Sequence, residues 1–171
     1  IRLKDVEGDV IASYYFDSDT FSECPTCEDD DPIGIFSLQI PYHPDVTQIL
    51  LLHNELSLDS VAQTPNQPSI EITYPNGGEV ISDDLLNITW DASDLDEDDL
   101  TYVVQYSIDS GSTWQTIDTN IKVKNYPLYL SHIAGSDTAL IRVWASDGFH
   151  TTMDVSDAVF QIEKHAPRTM I

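Results

Sequence analysis

The 171-residue sequence predicts an all-β protein, in which a small and partial antiparallel β domain precedes a seven-stranded sandwich. Three observations lead to this prediction. Apolar runs of strand length recur along the chain between Gly, Pro and Asp residues. Residues 100–107 alternate strictly, as a strand with one buried face does. No stretch repeats with the 3.6-residue period of an amphipathic helix.

The first 64 residues are predicted to form a small or truncated β domain. Runs rich in Ile, Val, Tyr and Phe predict strands at 10–16, 33–42, 47–53 and 56–62. Asn54, between the last two runs, predicts a hairpin turn because Asn tolerates the left-handed conformation. Four strands are few for an independent domain. We therefore expect these residues to form either part of a larger domain or a small sheet that is stabilised by packing against the second domain.

Residues 65–68, Pro-Asn-Gln-Pro, predict a linker, because two prolines without N–H groups disfavour a strand. The sandwich is predicted over residues 69–164, and residues 165–171 form a tail or the start of a next linker. Its strands are predicted at 70–74, 85–90, 100–107, 114–118, 126–133, 139–146 and 155–162. Such spacing is typical of an immunoglobulin-like or fibronectin type III sandwich.

The core of the sandwich is predicted from alternating residues on its second, third and sixth strands. These residues are Ile88, Trp90, Tyr102, Val104, Tyr106, Ile141, Val143 and Ala145. Because residues 69–164 contain no cysteine, apolar packing must hold the two sheets together.

The charge of the chain limits its partners. Seven basic residues against 30 acidic ones give a net charge of −23, which repels nucleic acids and anionic membrane surfaces. The sequence contains no run of 18 apolar residues, so it predicts no membrane-spanning segment. The chain opens at Ile1 without a basic-then-apolar leader, and we take it as a piece of a longer protein.

Cys24 and Cys27 lie in a Cys-Pro-Thr-Cys motif among acidic residues. Nearby carboxylates raise the pKa of a thiol, which disfavours a redox-active site. Zinc would need two further ligands, and only His43 and His53 are at hand in this region. A small disulfide-closed loop or two idle thiols are the favoured interpretations.

The acidic loop after Trp90 is the sharpest functional signal. Asp94, Asp96 and Asp98 are spaced by two, so a curled loop can turn all three carboxylates towards one hard cation, with Asp99 as a fourth oxygen donor. Asp147, in the loop between the sixth and seventh predicted strands, is expected at the same end. Calcium is the cation predicted, and such an ion would bridge the two domains at the linker. The alternative is a solvated, metal-free loop.

Several motifs together resemble fibronectin type III-like modules of bacterial and archaeal cell-surface and secreted proteins. They are Tyr74-Pro75-Asn76-Gly77-Gly78-Glu79, Ile88-Thr89-Trp90, the acidic stretch 93–102, the stretch 105–114, Ile141-Arg142-Val143 and Ser146-Asp147-Gly148. The resemblance implies a secreted or cell-surface location. It also implies a role as a spacer, an adhesion module or a calcium-stiffened stalk, with neighbouring domains, a cell-surface protein or a glycan as partners.

The segment Ser107-x-Asp109-x-Gly111-x-x-Trp114 resembles the Asp-box hairpin of sialidases. Its Asp can accept turn amides, its Gly can take a positive φ and its Trp can lie back over the turn. A single copy without an arginine cluster indicates a folding device and not a sialidase.

These features predict a non-catalytic structural, adhesion or spacer module of a larger extracellular protein. The chain contains no Gly-x-Ser-x-Gly motif, and no Ser-His-Asp order can be assigned to its scattered histidines. The alternative is a carbohydrate-binding or accessory module of a secreted peptidase or glycosidase. In that case Trp144, Tyr126 and Tyr129 are the candidate stacking platform, and Trp144 should face outwards because it alternates with core residues.

Overall fold

The structure, a computed structural model, describes residues 1–17, 19–21, 33–35 and 38–163. Within these ranges the only regular structure is β-strand, apart from one 3₁₀ turn at Leu130–His132, which confirms the all-β class. The chain divides into two units, Ile1–Gln63 (unit 1) and Thr64–Ile171 (unit 2). Cys24, Cys27 and the predicted tail at 165–171 lie outside the described residues.

The described residues of unit 1 form six short strands. Four of them form an antiparallel sheet in the order β2-β1-β5-β6, and the other two pair as β3-β4. The strands are β1 (Arg2–Lys4), β2 (Val10–Ser13), β3 (Asp19–Phe21), β4 (Ile33–Ile35), β5 (Gln48–His53) and β6 (Leu56–Ala62). Asn54 and Glu55 both have positive φ between β5 and β6, which confirms the predicted hairpin. β1 and β3, three residues each, were not predicted from the sequence because they are too short to show a period.

In unit 2, residues 64–163 form nine strands in two sheets. One sheet has the order β12-β9-β7, and the other has the order β11-β10-β13-β15-β8, with β14 also paired to β13. The strands are β7 (Ser69–Tyr74), β8 (Val80–Ile81), β9 (Leu85–Ser93), β10 (Thr101–Ser107), β11 (Gln115–Ile121), β12 (Asn125–Tyr129), β13 (Ser136–Ser146), β14 (Thr151–Val155) and β15 (Phe160–Ile162).

One apolar core joins the two sheets of unit 2. All eight core residues predicted from the sequence are buried. Trp90 of β9 meets Tyr102 of β10 edge-on, with ring centres 5.2 Å apart. Tyr106 donates its hydroxyl to the Ala134 carbonyl at 2.9 Å, and burial raises the pKa of this phenol to about 12. At one side the sheets are tied by the Asp154 carboxylate, which accepts the Ile72 N–H at 2.7 Å.

The predicted seventh strand, 155–162, is wrong as a single element. Ser156 interrupts it: the Ser156 hydroxyl accepts the Ile141 N–H at 3.1 Å and donates to the Pro75 carbonyl at 3.0 Å. This side chain takes the place of a ladder bond, so the chain breaks into β14 and β15, which both pair with β13. β8, two residues long, adds the ninth strand. The described residues include no helix long and apolar enough to cross a membrane.

Candidate functional site

Two loops of unit 2 lie side by side because of the register between β10 and β13. Thr101 at the start of β10 pairs with Ser146 at the end of β13. The acidic loop before Thr101 and the short loop after Ser146 therefore meet at one end of the sheet. Asp147 begins the second loop and holds it closed, because its Oδ1 accepts the N–H groups of Phe149 and His150.

Three carboxylates converge between these loops. Asp94, Asp98 and Asp147 each place one oxygen within 4.8 Å of the other two. The Asp147 side chain is only 1% exposed, and His150 Nδ1 lies 3.2 Å from its Oδ2. Asp94 Oδ2 and Asp98 Oδ2 are buried and accept no hydrogen bond. Unbonded oxygens of this kind are costly to bury, because a carboxylate removed from water needs donors or a cation.

The described residues supply no cation to Asp94 or Asp98. The ion pairs among them are Arg2–Glu55 and the contact between His150 and Asp147. Lys124 lines a cleft of about 490 Å³ beside the acidic loop, but its ammonium donates to the Ala92 carbonyl at 2.6 Å. An all-oxygen set of three carboxylates offers up to six donor atoms, which suits Ca²⁺ with its six to eight oxygen ligands.

The structure separates Asp96 and Asp99 from this cluster, so it brings together three of the five residues that the sequence predicted as ligands. Both Asp96 oxygens accept from Asn66, one from its backbone N–H and one from its Nδ2, each at 2.8 Å. The left-handed φ of 63° at Glu97 turns the loop back on itself. Asp94 and Asp98 thereby meet, while Asp96 points to the segment predicted as the linker. Asp99 is exposed and outside the cluster.

The three aromatic residues predicted as a stacking platform do not share a surface. Trp144 is on β13, whereas Tyr126 and Tyr129 are on β12 of the other sheet. Tyr126 packs against the core, and burial together with the Asp118 carboxylate raises the pKa of its phenol. Tyr129 is 55% exposed. Sequence alternation could place Trp144 on an outer face but could not assign the two tyrosines to a sheet.

The neighbours of Trp144 are Arg142 and Trp114. The Arg142 guanidinium carbon lies 4.2 Å from the Trp114 ring centre and 5.3 Å from that of Trp144. Gln105 Oε1 accepts from Arg142 Nε at 2.8 Å and from Trp144 Nε1 at 2.9 Å. Sequence reasoning missed Arg142 and Gln105, although their alternation with core residues places both on the outer face of this sheet.

The turn between β10 and β11 has the bonding expected of the Asp-box motif. Asp109 accepts the Thr113 N–H at 2.8 Å and the Thr113 hydroxyl at 2.7 Å. These bonds, with that from Ser107, hold the pKa of the Asp109 carboxyl below its usual value. Gly111 has a φ of +85° and lies against the Trp114 ring. The motif therefore fixes Trp114 beside Arg142.

No protein-family model matches the sequence, and a comparison with curated proteins found no match.

Proposed function

We propose that unit 2 is a non-catalytic fibronectin type III-like or immunoglobulin-like module of an extracellular protein, stiffened by calcium held between Asp94, Asp98 and Asp147. One observation carries the calcium site: Asp94 and Asp98, each with one buried carboxylate oxygen that has no hydrogen bond, lie in one cluster with the buried carboxylate of Asp147. A divalent cation would satisfy these oxygens and remove the repulsion between three like charges.

The arrangement of strands supports the assignment to this class of module. β7 belongs to one sheet, while β8, the next strand along the chain, joins the other sheet beside β15. The two sheets enclose one apolar core without a disulfide among the described residues. A fold of this kind supplies a rigid body with loops at both ends, as spacer and adhesion modules require.

A calcium titration of the thermal melt tests the proposal. An ion that binds only the folded state stabilises it by about 2.7 kcal/mol at one hundred times its Kd. Millimolar CaCl₂ should therefore raise the melting temperature more than NaCl of matched ionic strength, which controls for general screening of the −23 charge. MgCl₂ should raise it less, since Mg²⁺ demands tighter octahedral geometry.

Asp98→Asn and Asp99→Asn are the matched pair of variants, because each removes one charge from the same loop. Asp98→Asn should abolish the calcium-specific shift and, in EDTA, should raise the melting temperature by relieving repulsion among the three carboxylates. Asp99→Asn should keep the calcium-specific shift. Equal shifts with calcium and matched NaCl, or the same response in both variants, would rule out the proposed site.

A further inference from the structure

The outer face of β10, β11 and β13 carries a preorganised cationic group. Arg142 is held between the rings of Trp114 and Trp144, at 4.2 and 5.3 Å from their centres. Its Nε is fixed by Gln105 Oε1, and Gln105 is itself fixed because its Nε2 donates to the Thr116 hydroxyl at 3.0 Å. A guanidinium in such surroundings loses little further freedom when it binds a ligand.

The two terminal nitrogens of Arg142 have no hydrogen bond or ion pair with the described residues. They are also not among the buried polar atoms that lack a partner, so they reach solvent. Arg2, by contrast, pairs with Glu55 at 2.8 Å. In a chain with 30 acidic residues, it is unusual that no described carboxylate lies within 4 Å of Arg142.

The chemistry of this group selects the ligand. The free edge of a guanidinium fits a carboxylate through two parallel N–H···O bonds. The rims of two half-buried indoles beside it offer apolar surface to the C–H groups of a sugar ring. An added peptide strand would pair with the free edge of β11, whereas Arg142 lies on the face of β13, which has paired neighbours on both sides.

We infer that Trp114, Arg142 and Trp144 form a binding site for an acidic glycan, with the guanidinium of Arg142 on the carboxylate of a uronic acid residue. This site is on the outer sheet face and does not depend on the proposed calcium site. It replaces the predicted platform of Trp144, Tyr126 and Tyr129.

Calorimetry and NMR with the full chain test this inference. The probes are tetragalacturonic acid and its fully methyl-esterified form, which keeps the sugar rings but has no free carboxylate. EDTA removes calcium, and 0.15 M NaCl screens the net charge of the protein. The acid should bind at least tenfold more tightly than the ester and should shift the indole N–H signals of Trp114 and Trp144.

Two variants separate ligand binding from a structural role of the arginine. Arg142→Lys keeps the charge but not the planar fork, and should weaken binding of the acid about tenfold or more in protein shown by its spectrum to be folded. Lys122→Gln removes a positive charge beside the acidic loop and should leave affinity within about twofold. Absence of binding by the acid, equal binding of acid and ester, or equal binding of a glutamate-rich peptide would each overturn the inference.

Discussion

Gly77 shows how closely two loops of unit 2 approach each other. A Cβ added at this residue would lie 2.6 Å from the Ala158 Cβ and 2.9 Å from the Ala158 backbone. Its φ of +131° is also a conformation that other residues rarely adopt. Next to it, Gly78 has a φ of +84° but open space where its Cβ would be. Only the first glycine is therefore required by packing as well as by backbone conformation.

Gly77→Ala should lower the free energy of unfolding by about 2–4 kcal/mol, because overpacking adds to backbone strain. Gly78→Ala is the matched control and should cost only the strain, about 1–2 kcal/mol. Denaturant midpoints at constant m-value measure both changes. Equal losses in the two variants would show that the loop at Ala158 moves aside without cost.

The sequence pointed to these glycines within a motif, but it could not distinguish their roles. Ala158 is 81 residues further along the chain than Gly77. It approaches Gly77 because the strand is interrupted at Ser156, and no period in the sequence predicts that interruption. By contrast, residues such as Val104 and Ile141 were correctly predicted as core, because alternation along a long strand determines which side chains point inwards.

The acidic loop between β9 and β10 performs two structural tasks. Asp94 and Asp98 face the candidate cation site, whereas Asp96 binds Asn66 through both carboxylate oxygens. The Asp96 N–H also donates to Asp94 Oδ1 at 2.8 Å, so the two groups are directly linked. A cation that orders Asp94 should therefore also order Asp96 and Asn66, which lies near the start of unit 2.

Asp96→Ala should speed hydrogen exchange at the Asn66 amide about tenfold or more, because that N–H loses a charged acceptor. The calcium-specific rise in melting temperature should remain, since Asp96 is not in the cluster. Asp99→Ala serves as the control within the same loop and should leave Asn66 protected. Loss of the calcium response in Asp96→Ala would instead make Asp96 a ligand.

The position of the acidic loop was predictable from sequence, whereas the side chains that converge in it were only partly so. Asp94, Asp98 and Asp147 were all named in advance, because strand order brings their loops to one end. Asp96 was predicted as a cation ligand, whereas in the structure both of its carboxylate oxygens accept hydrogen bonds from Asn66. An irregular loop has no fixed side-chain period. A spacing of two residues therefore does not determine which way each side chain points, once a residue such as Glu97 takes a positive φ.

The two units differ in how much apolar surface they bury. Among the described side chains, the buried apolar ones in unit 1 are Leu3 and Val46, whereas unit 2 has a continuous core. Every residue of β5 is half-buried except the exposed His53. Such a sheet resembles one layer of a domain more than a complete one.

Residues 64–171 expressed alone should fold, with dispersed NMR spectra and a cooperative melt. Residues 1–63 alone should not, because the two buried apolar side chains among the described residues of this unit cannot offset the entropy of ordering the chain. The full chain is the reference for both fragments. A cooperative melt from residues 1–63, or none from 64–171, would contradict this assignment of stability.

The pairing of β8 with β15 has a mechanical consequence for a module within a tensioned chain. β8 is the second strand of unit 2 and β15 the last one in its described part. The two run parallel, joined by bonds from Gln161 N–H to the Glu79 carbonyl at 2.8 Å and from Glu163 N–H to the Ile81 carbonyl at 3.1 Å. A pull on the two ends drags parallel strands in opposite directions along their length. The bonds are then loaded in shear and must break together, whereas an antiparallel hairpin would unzip one bond at a time.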